Sequence, residues 1–263
     1  NADTLFSSHS MARTLNALAV GIAIADGRIG SIDDPVAKYL PEWGDAMRAA
    51  ITIRQLLTMS GGFQTPPSRE PGSAYSQSYY ASDLAQLTLE AKPDIAPGSA
   101  WAYDNFNNLA LALLLERATG QRYRDFLERR LWQPLGAGDA EMMLDREGGR
   151  VFPFCCLWSK PRDWARVGQM LLDRGAVAGR ALVPGSWVDA MVQPSSITPN
   201  FGFQVFVDAA NYFLDRPGFV LRIDQVVLQT LQGFIFADEV QGGVGEFAAF
   251  IFYFQHQNFM FFF

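Results

Sequence analysis

The chain has 263 residues, of which 49% are hydrophobic and 18% charged, a composition that allows one large globular domain with a substantial core. The formal net charge is −6 and there is no long basic run, so nucleic-acid binding is not expected. No apolar stretch is long enough for a membrane-spanning helix, and no signal peptide is recognisable, which leaves the cellular compartment open.

The first predicted helix carries a candidate nucleophile. Apolar residues recur at helical spacing from Met11 to Ile22, and Gly27 stands where a C-terminal stop is expected. Ser10 is predicted to be the N-cap or a first-turn residue, and Arg13 follows on the same helical face. The helix dipole favours negative charge at this position, and free backbone N–H groups can hold an oxyanion. The same pattern also fits a serine that only caps a core helix.

Short helices and one long loop follow. Helices are predicted to start at Asp34-Pro35, to span residues 51–63, and to span residues 82–90. Residues 64–80 are rich in Pro, Ser, Gly and Tyr and show no periodicity, which predicts a long loop.

A polar turn precedes the second strongly apolar helix. Residues 110–120 predict a helix that is buried on most sides and ends at Gly120. Tyr103 and Asn105 lie in the turn before it, so their side chains are mounted on a core helix, as catalytic groups commonly are. The alternative is that Asn105 caps the helix and Tyr103 packs against the core.

The last part of the chain changes from helices to strands. Further helices are predicted at residues 123–131, 161–173 and 183–191. Strands are predicted at residues 201–207, 233–236, 247–254 and 259–263. Helices followed by strands favour an α+β fold, in which helices flank an antiparallel sheet. We expect a single domain over residues 1–263, mainly helical at 28–190 and with its sheet region at 200–263.

The chain has two cysteines, Cys155 and Cys156, which are adjacent. A disulfide between neighbours is geometrically difficult, so none is expected. A cysteine pair without further ligands is also a poor metal site. Both residues are therefore predicted to be buried packing residues, and no metal or cofactor is expected.

Several stretches together resemble the serine β-lactamase-like hydrolases, a superfamily of class C β-lactamases, D,D-peptidases, carboxylesterases and 6-aminohexanoate-dimer hydrolases. The resemblance is carried by residues 33–42, 52–62, 101–120 and 155–173, and residues 154–170 lean toward the esterase and 6-aminohexanoate-dimer hydrolase branch. It implies a β-lactamase/transpeptidase-like α+β fold. In that superfamily a helix and the first strands precede the nucleophile, so the sheet is expected to be incomplete in this chain.

The resemblance also implies site residues. Ser10 matches the nucleophile of a Ser-x-x-Lys motif, and Tyr103 and Asn105 match a Tyr-x-Asn motif. In such enzymes the phenol shuttles protons and the asparagine orients the substrate. Gly243 and Gly245 fall where a glycine-rich strand would supply a second oxyanion donor beside the N–H of the nucleophile.

One departure from the motif concerns the catalytic base. The motif lysine is replaced by Arg13, and arginine does not lose its proton in proteins. Either Arg13 supplies positive charge that stabilises the phenolate of Tyr103 as the sole base, or the replacement disables Ser10.

The expected function is hydrolysis of a small-molecule ester, amide or β-lactam through an acyl-enzyme, with Ser10, Tyr103 and Arg13 as the catalytic set. The alternative is a catalytically impaired binding protein on the same scaffold. An unrelated structural protein is a third interpretation, which only the Phe-rich end of the chain favours.

A histidine-based triad is disfavoured because the chain has only His9 and His256. The oligomeric state cannot be read from the sequence.

Overall fold

The computed structural model describes residues 3–63 and 72–207. Within these residues, helices and short antiparallel strands form an α+β arrangement. The helices are α1 (Ala12–Ala25), α2 (Ile53–Leu57), α3 (Ala74–Tyr80), α4 (Leu84–Glu90), α5 (Phe106–Thr119), α6 (Tyr123–Leu127), α7 (Pro161–Leu172) and α8 (Gly185–Met191). The strands are β1 (Phe6–Ser7), β2 (Glu141–Met142), β3 (Leu157–Ser159), β4 (Ala176–Val177) and β5 (Arg180–Ala181).

Two apolar helices form the centre of the core. Helix α1 packs against α5, and both are buried over most of their length. Helix α8 lies across α1, where the Trp187 Nε1–H donates to the carbonyl of Ala17 at 2.9 Å. A Cβ atom at Gly21 would come within 2.3 Å of the Trp187 ring, so this close approach requires glycine. The core therefore fixes the position of the first turn of α1, which carries the candidate site.

The predicted helix ends in this core are confirmed. Gly27 and Gly120 have φ of +68° and +69°, the left-handed conformation that glycine adopts at helix C-termini. Helix α2 begins with a capping box in which the Thr52 side chain accepts from the Gln55 N–H and the Gln55 side chain accepts from the Thr52 N–H.

A small antiparallel sheet leads into the first helix. Strand β1 pairs with β3, with Phe6 opposite Ser159, and β3 pairs with β2. The Ser8 N–H continues the pairing by donating to the carbonyl of Leu157 at 2.7 Å. The expectation that helices precede strands is therefore wrong within the described residues. These strands are two or three residues long, too short to show an alternating pattern in the sequence.

Two other expectations need correction. The loop predicted over residues 64–80 ends in helix α3, which the Ser73 side chain caps by accepting from the Ser76 N–H. Residues 201–207 were predicted as a strand but form a tight turn, closed by a bridge between Phe201 and Phe206. The strands predicted at residues 233–236, 247–254 and 259–263 lie outside the described residues.

Cys155 and Cys156 form a disulfide bond, so the expectation of two unbonded packing residues is wrong. Cys155 is buried and Cys156 is partly buried. Cys156 has a φ of +67°, a left-handed backbone conformation that the spacing argument did not anticipate. The pair lies directly before β3, the strand that holds the segment in front of α1.

This bond predicts the thiol content of the protein. Alkylation of the denatured, unreduced protein with iodoacetamide should add no mass, whereas reduction before alkylation should add two carbamidomethyl groups, because the chain has two cysteines. Intact-mass spectrometry measures both states. Two alkylated cysteines without prior reduction would contradict the bond.

No helix among residues 3–63 and 72–207 combines the length and the apolar character that crossing a bilayer requires.

Candidate active site

Arg13 is the centre of the candidate site. It lies in the first turn of α1 with 4% of its surface exposed. One terminal nitrogen donates to the backbone carbonyl of Asp104 at 2.8 Å and to the side-chain oxygen of Asn108. The other donates to the side-chain oxygen of Asn105. A buried charge requires such partners, and the planar guanidinium matches oxygens that are held in a fixed arrangement.

A hydrogen-bond network extends from Arg13 in two directions. We call Arg13, Ser78, Asn105, Asn108 and Gln204 the Arg13 network. The Asn105 Nδ2–H donates to Ser78 Oγ at 2.8 Å on α3. The Asn108 Nδ2–H donates to Gln204 Oε1 at 2.9 Å, and the Gln204 amide donates to carbonyls at the end of α2 at 2.9 and 3.2 Å. The network therefore joins α1, α2, α3, α5 and the turn at residues 201–206.

Tyr103 lies over the guanidinium of Arg13. The guanidinium carbon is 4.4 Å from the centre of the Tyr103 ring, and 5.6 Å from the ring centre of Phe154. A cation over an aromatic face is a stabilising contact. Tyr103 itself is 37% exposed, so its ring covers the buried charge while part of the side chain faces solvent.

Asn105 is the N-cap residue of α5, but the side-chain bond at this helix start comes from Asp104. Asp104 Oδ1 accepts from the backbone N–H of Asn107 at 3.0 Å, whereas the Asn105 side chain makes no capping bond. The alternative in which Asn105 caps α5 is therefore correct for its position in the chain but not for its side chain. Its amide is instead engaged by Arg13 and Ser78, which leaves it buried beneath Tyr103.

Ser10 lies in a 3₁₀ turn, His9–Met11, that runs directly into α1. The N-cap of α1 is Met11, so Ser10 lies one residue in front of the cap, in the 3₁₀ turn. His9 has a φ of +43°, a conformation that few residue types other than glycine adopt and in which histidine is enriched. Ser10 is exposed, and the structure shows no hydrogen bond of its hydroxyl within residues 3–63 and 72–207.

The chain geometry relates Ser10 to the Arg13 network. Residues three apart near a helix start lie on the same face, with Cβ atoms about 5–6 Å apart. Ser10 therefore lies one turn in front of Arg13, at the end of the helix that faces the turn of Tyr103 and Asn105. The structure thus brings both Tyr103 and Asn105 into direct contact with Arg13, and Ser10 is exposed.

Two titratable groups beside Arg13 were not identified from the sequence. Burial raises the pKa of Asp104 to about 7, although the charge of Arg13 and hydrogen bonds from Asn107 act in the opposite direction. Burial also raises the pKa of Tyr79, whose ring packs edge-on against Phe154 with centroids 5.1 Å apart. The Tyr-x-Asn motif does not indicate that the pKa of either Asp104 or Tyr79 is raised.

Gly243 and Gly245 lie outside the described residues. Their assignment as oxyanion donors stays a prediction. Within residues 3–63 and 72–207, no group of three or more His, Cys, Asp or Glu side chains is arranged to hold a metal ion.

The sequence of the chain is similar to that of one family of known proteins. A model of the family described as Beta-lactamase matches residues 1–204. The chain is 29% identical over 202 residues to a 6-aminohexanoate-dimer hydrolase of Paenarthrobacter ureafaciens, an alignment that covers 71% of this chain and 50% of that protein. It is 34% identical over 154 residues to the esterase EstB of Burkholderia gladioli, covering 52% of this chain and 38% of the esterase.

Solved structures show the same fold. A Bacillus anthracis structure provisionally assigned as a 6-aminohexanoate-dimer hydrolase superposes with a TM-score of 0.71 at 22% identity, over 81% of this chain and 61% of that one. A D-stereospecific amidohydrolase from Streptomyces superposes with a TM-score of 0.61 at 23% identity, over 80% and 72%. The chain spans half the length or less of the two curated relatives described above.

The buried carboxyl of Asp104 predicts a pH-dependent stability. Because its pKa rises from 3.8 to about 7 on folding, the native state holds this proton more tightly than the unfolded state. Its contribution to the free energy of unfolding therefore falls as the pH rises from about 4 to about 7, by up to about 4 kcal/mol, and is constant above that range. Asp104→Asn should remove this slope, so the variant gains stability relative to the parent across the interval.

Denaturant titrations between about pH 4 and pH 8 measure the difference between the two proteins. Asp33→Asn is the matched control, because Asp33 is exposed and its hydrogen bond with Arg54 lowers its pKa, so its contribution is nearly complete above about pH 5. A difference between Asp104→Asn and the parent that does not change with pH would contradict the assignment.

Proposed function

Because the chain belongs to the β-lactamase family, we propose that it is a serine hydrolase that cleaves a carboxylic ester or amide through an acyl-enzyme on Ser10. The observation that carries the proposal is the contact of Arg13 with Tyr103 and Asn105. In this contact the Tyr103 ring lies over Arg13, three residues after Ser10, which supports a role for the phenol beside Ser10. The esterase and 6-aminohexanoate-dimer hydrolase names of two relatives support this range of bonds.

In the proposed reaction, Ser10 Oγ attacks the carbonyl carbon of the substrate while its proton passes to the phenolate oxygen of Tyr103. The tetrahedral intermediate collapses when Tyr103 returns that proton to the leaving oxygen or nitrogen, and the acyl group stays on Ser10. A water molecule then repeats both steps, with Tyr103 again as the proton acceptor and donor, and releases the acid.

In this scheme Arg13 supplies positive charge and helps to position Tyr103 and Asn105. A guanidinium does not give up its proton in proteins, so it cannot take over the role of a neutral lysine as a base. Its fixed positive charge beneath the Tyr103 ring favours negative charge that develops above it. Asn105 is a positioning residue in this scheme, because both ends of its amide are engaged inside the protein.

The oxyanion would be held by backbone N–H groups. The N–H of Ser10 at the start of α1 is one proposed donor, and the segment of Gly243 and Gly245 is the proposed source of the second. Removing one such donor from a serine hydrolase lowers kcat by about 10²–10³-fold.

A second candidate function is binding without turnover. The observation that favours it is the full engagement of both terminal nitrogens of Arg13 by Asp104, Asn105 and Asn108, which leaves neither directed at Ser10. In that case Arg13→Lys would create ester hydrolysis that the parent protein lacks, because the lysine amine can act as a base.

Covalent labelling of Ser10 distinguishes the two candidates. A fluorophosphonate should phosphonylate Ser10 Oγ with release of fluoride, because Ser10 is exposed at a helix start and Tyr103 is its proposed proton acceptor. Peptide mass spectrometry should locate the adduct on Ser10, and Ser10→Ala should abolish it. Ser82→Ala, which changes an exposed serine before α4, should label like the parent. A folded parent protein that does not label would exclude the hydrolase.

The proton-transfer role predicts the effect of Tyr103→Phe. The variant keeps the ring that covers Arg13 and removes only the hydroxyl, so it should fold normally. Loss of a general acid–base group should lower kcat/KM for p-nitrophenyl acetate by about 10²–10⁴-fold. Tyr80→Phe is the matched control, since Tyr80 is 86% exposed at the end of α3. If Tyr103→Phe retained more than half of the parent rate, another group would have to carry the proton.

A further inference from the structure

Four aromatic side chains form a surface cluster around Tyr103, which we call the aromatic shelf: Trp101, Tyr103, Phe201 and Phe206. The Phe201 and Phe206 rings meet edge to face with centroids 5.0 Å apart. Tyr103 is 5.7 Å from Phe206 and 6.3 Å from Phe201, and Trp101 is 5.7 Å from Phe201. These separations are those of aromatic pairs in direct contact.

The shelf is held in place by backbone hydrogen bonds. The turn at residues 201–206 is closed by the Gly202 N–H, which donates to the carbonyl of Val205 at 2.9 Å. A Cβ atom at Gly202 would come 2.1 Å from the carbonyl oxygen of Met191, so the turn sits tightly on the end of α8. The Gln204 N–H donates to the last carbonyl of α2 at 3.0 Å. The shelf is therefore preformed.

Its outer surface is apolar and open. Phe206 is 50% exposed and Tyr103 is 37% exposed, whereas Phe201 beneath them is buried. The four members are uncharged, and the Tyr103 ring lies between the surface and the guanidinium of Arg13. Exposed aromatic rings that adjoin one another in a single cluster mark a site of apolar contact more often than scattered ones do.

The shelf is next to the reacting bond in the proposed reaction. Tyr103 has to reach the leaving oxygen or nitrogen to return the proton, so the substituent on that atom lies nearest to Tyr103. The other exposed ring of the shelf, Phe206, is in contact with Tyr103. A substituent that extends from the leaving atom along the surface therefore meets Phe206.

We propose that the aromatic shelf binds the leaving group of the substrate, and that the preferred substrates are esters of apolar alcohols or amides of apolar amines, benzylic or alkyl. This inference rests on the proposed function, because Tyr103 belongs to both the shelf and the proton-transfer site. Phe206 is the specificity-determining residue in it.

Benzyl acetate and methyl acetate test the proposal. They give the same acetyl-enzyme and have leaving alcohols of similar basicity, so a difference in kcat/KM reports on contact with the leaving group. The parent protein should favour benzyl acetate by about tenfold or more, mainly through KM. Phe206→Ala should reduce this preference about tenfold, and Phe206→Gln, which keeps a long side chain in case the alanine variant does not fold, should do the same. Tyr80→Ala should leave the preference unchanged, since Tyr80 lies outside the shelf.

Equal preferences in the parent and both Phe206 variants would overturn the inference. A binding measurement tests the aromatic shelf independently of the proposed function. The dissociation constant of benzyl alcohol would be measured by NMR chemical-shift titration on the Ser10→Ala variant. Binding that Phe206→Ala weakens about tenfold and Tyr80→Ala does not would support the shelf even if labelling excluded a hydrolase. Binding that is unaffected by Phe206→Ala would overturn the shelf even if Ser10 is active.

Discussion

The buried guanidinium of Arg13 is the constraint on which the arrangement of the candidate site depends. An ion that is almost completely removed from water is stable only if its donors find fixed acceptors. Here the acceptors are three oxygens from residues 104–108, at the start of α5. Because they come from one turn, the charge fixes the orientation of α1 relative to α5. The position of Tyr103 above the first turn of α1 follows from it.

The same constraint limits the chemistry that the site can perform. Arg13 contributes a permanent positive charge and no proton transfer, so a proton leaving Ser10 needs another acceptor. Tyr103 lies against the charge and is partly open to solvent, which suits that role. Asp104 donates no hydrogen bond to Ser10 and has both carboxyl oxygens engaged by Asn107. It contributes a nearby buried group whose charge changes near neutral pH.

The sequence predicted the features that depend on local patterns. The two core helices and their glycine ends were visible from periodicity. The family resemblance singled out Arg13, Tyr103 and Asn105, and the structure shows that these residues are in contact. The remaining features are set by long-range pairing. Strand β1 is defined only by its partner β3, about 150 residues later in the chain, and a two-residue segment has no periodicity of its own.

The sequence also does not predict which polar side chains pair with each other or which residues have a left-handed backbone. Asn108 and Gln204 meet across 96 residues, and amide side chains give no sequence signal that identifies a partner. The disulfide between neighbouring cysteines accompanies a left-handed backbone conformation at Cys156, which a cysteine in the sequence does not indicate.

A double-mutant cycle between Arg13 and Asn105 tests most directly whether their hydrogen bond holds α1 against the start of α5. The free energies of unfolding of the parent, Arg13→Met, Asn105→Ala and the double variant would be measured by denaturant titration. If the guanidinium holds the turn through Asn105, the two effects should be non-additive by at least about 1 kcal/mol, because hydrogen bonds to charged groups contribute about 1.5–3 kcal/mol. Additive effects, within about 0.5 kcal/mol, would contradict this role of Arg13.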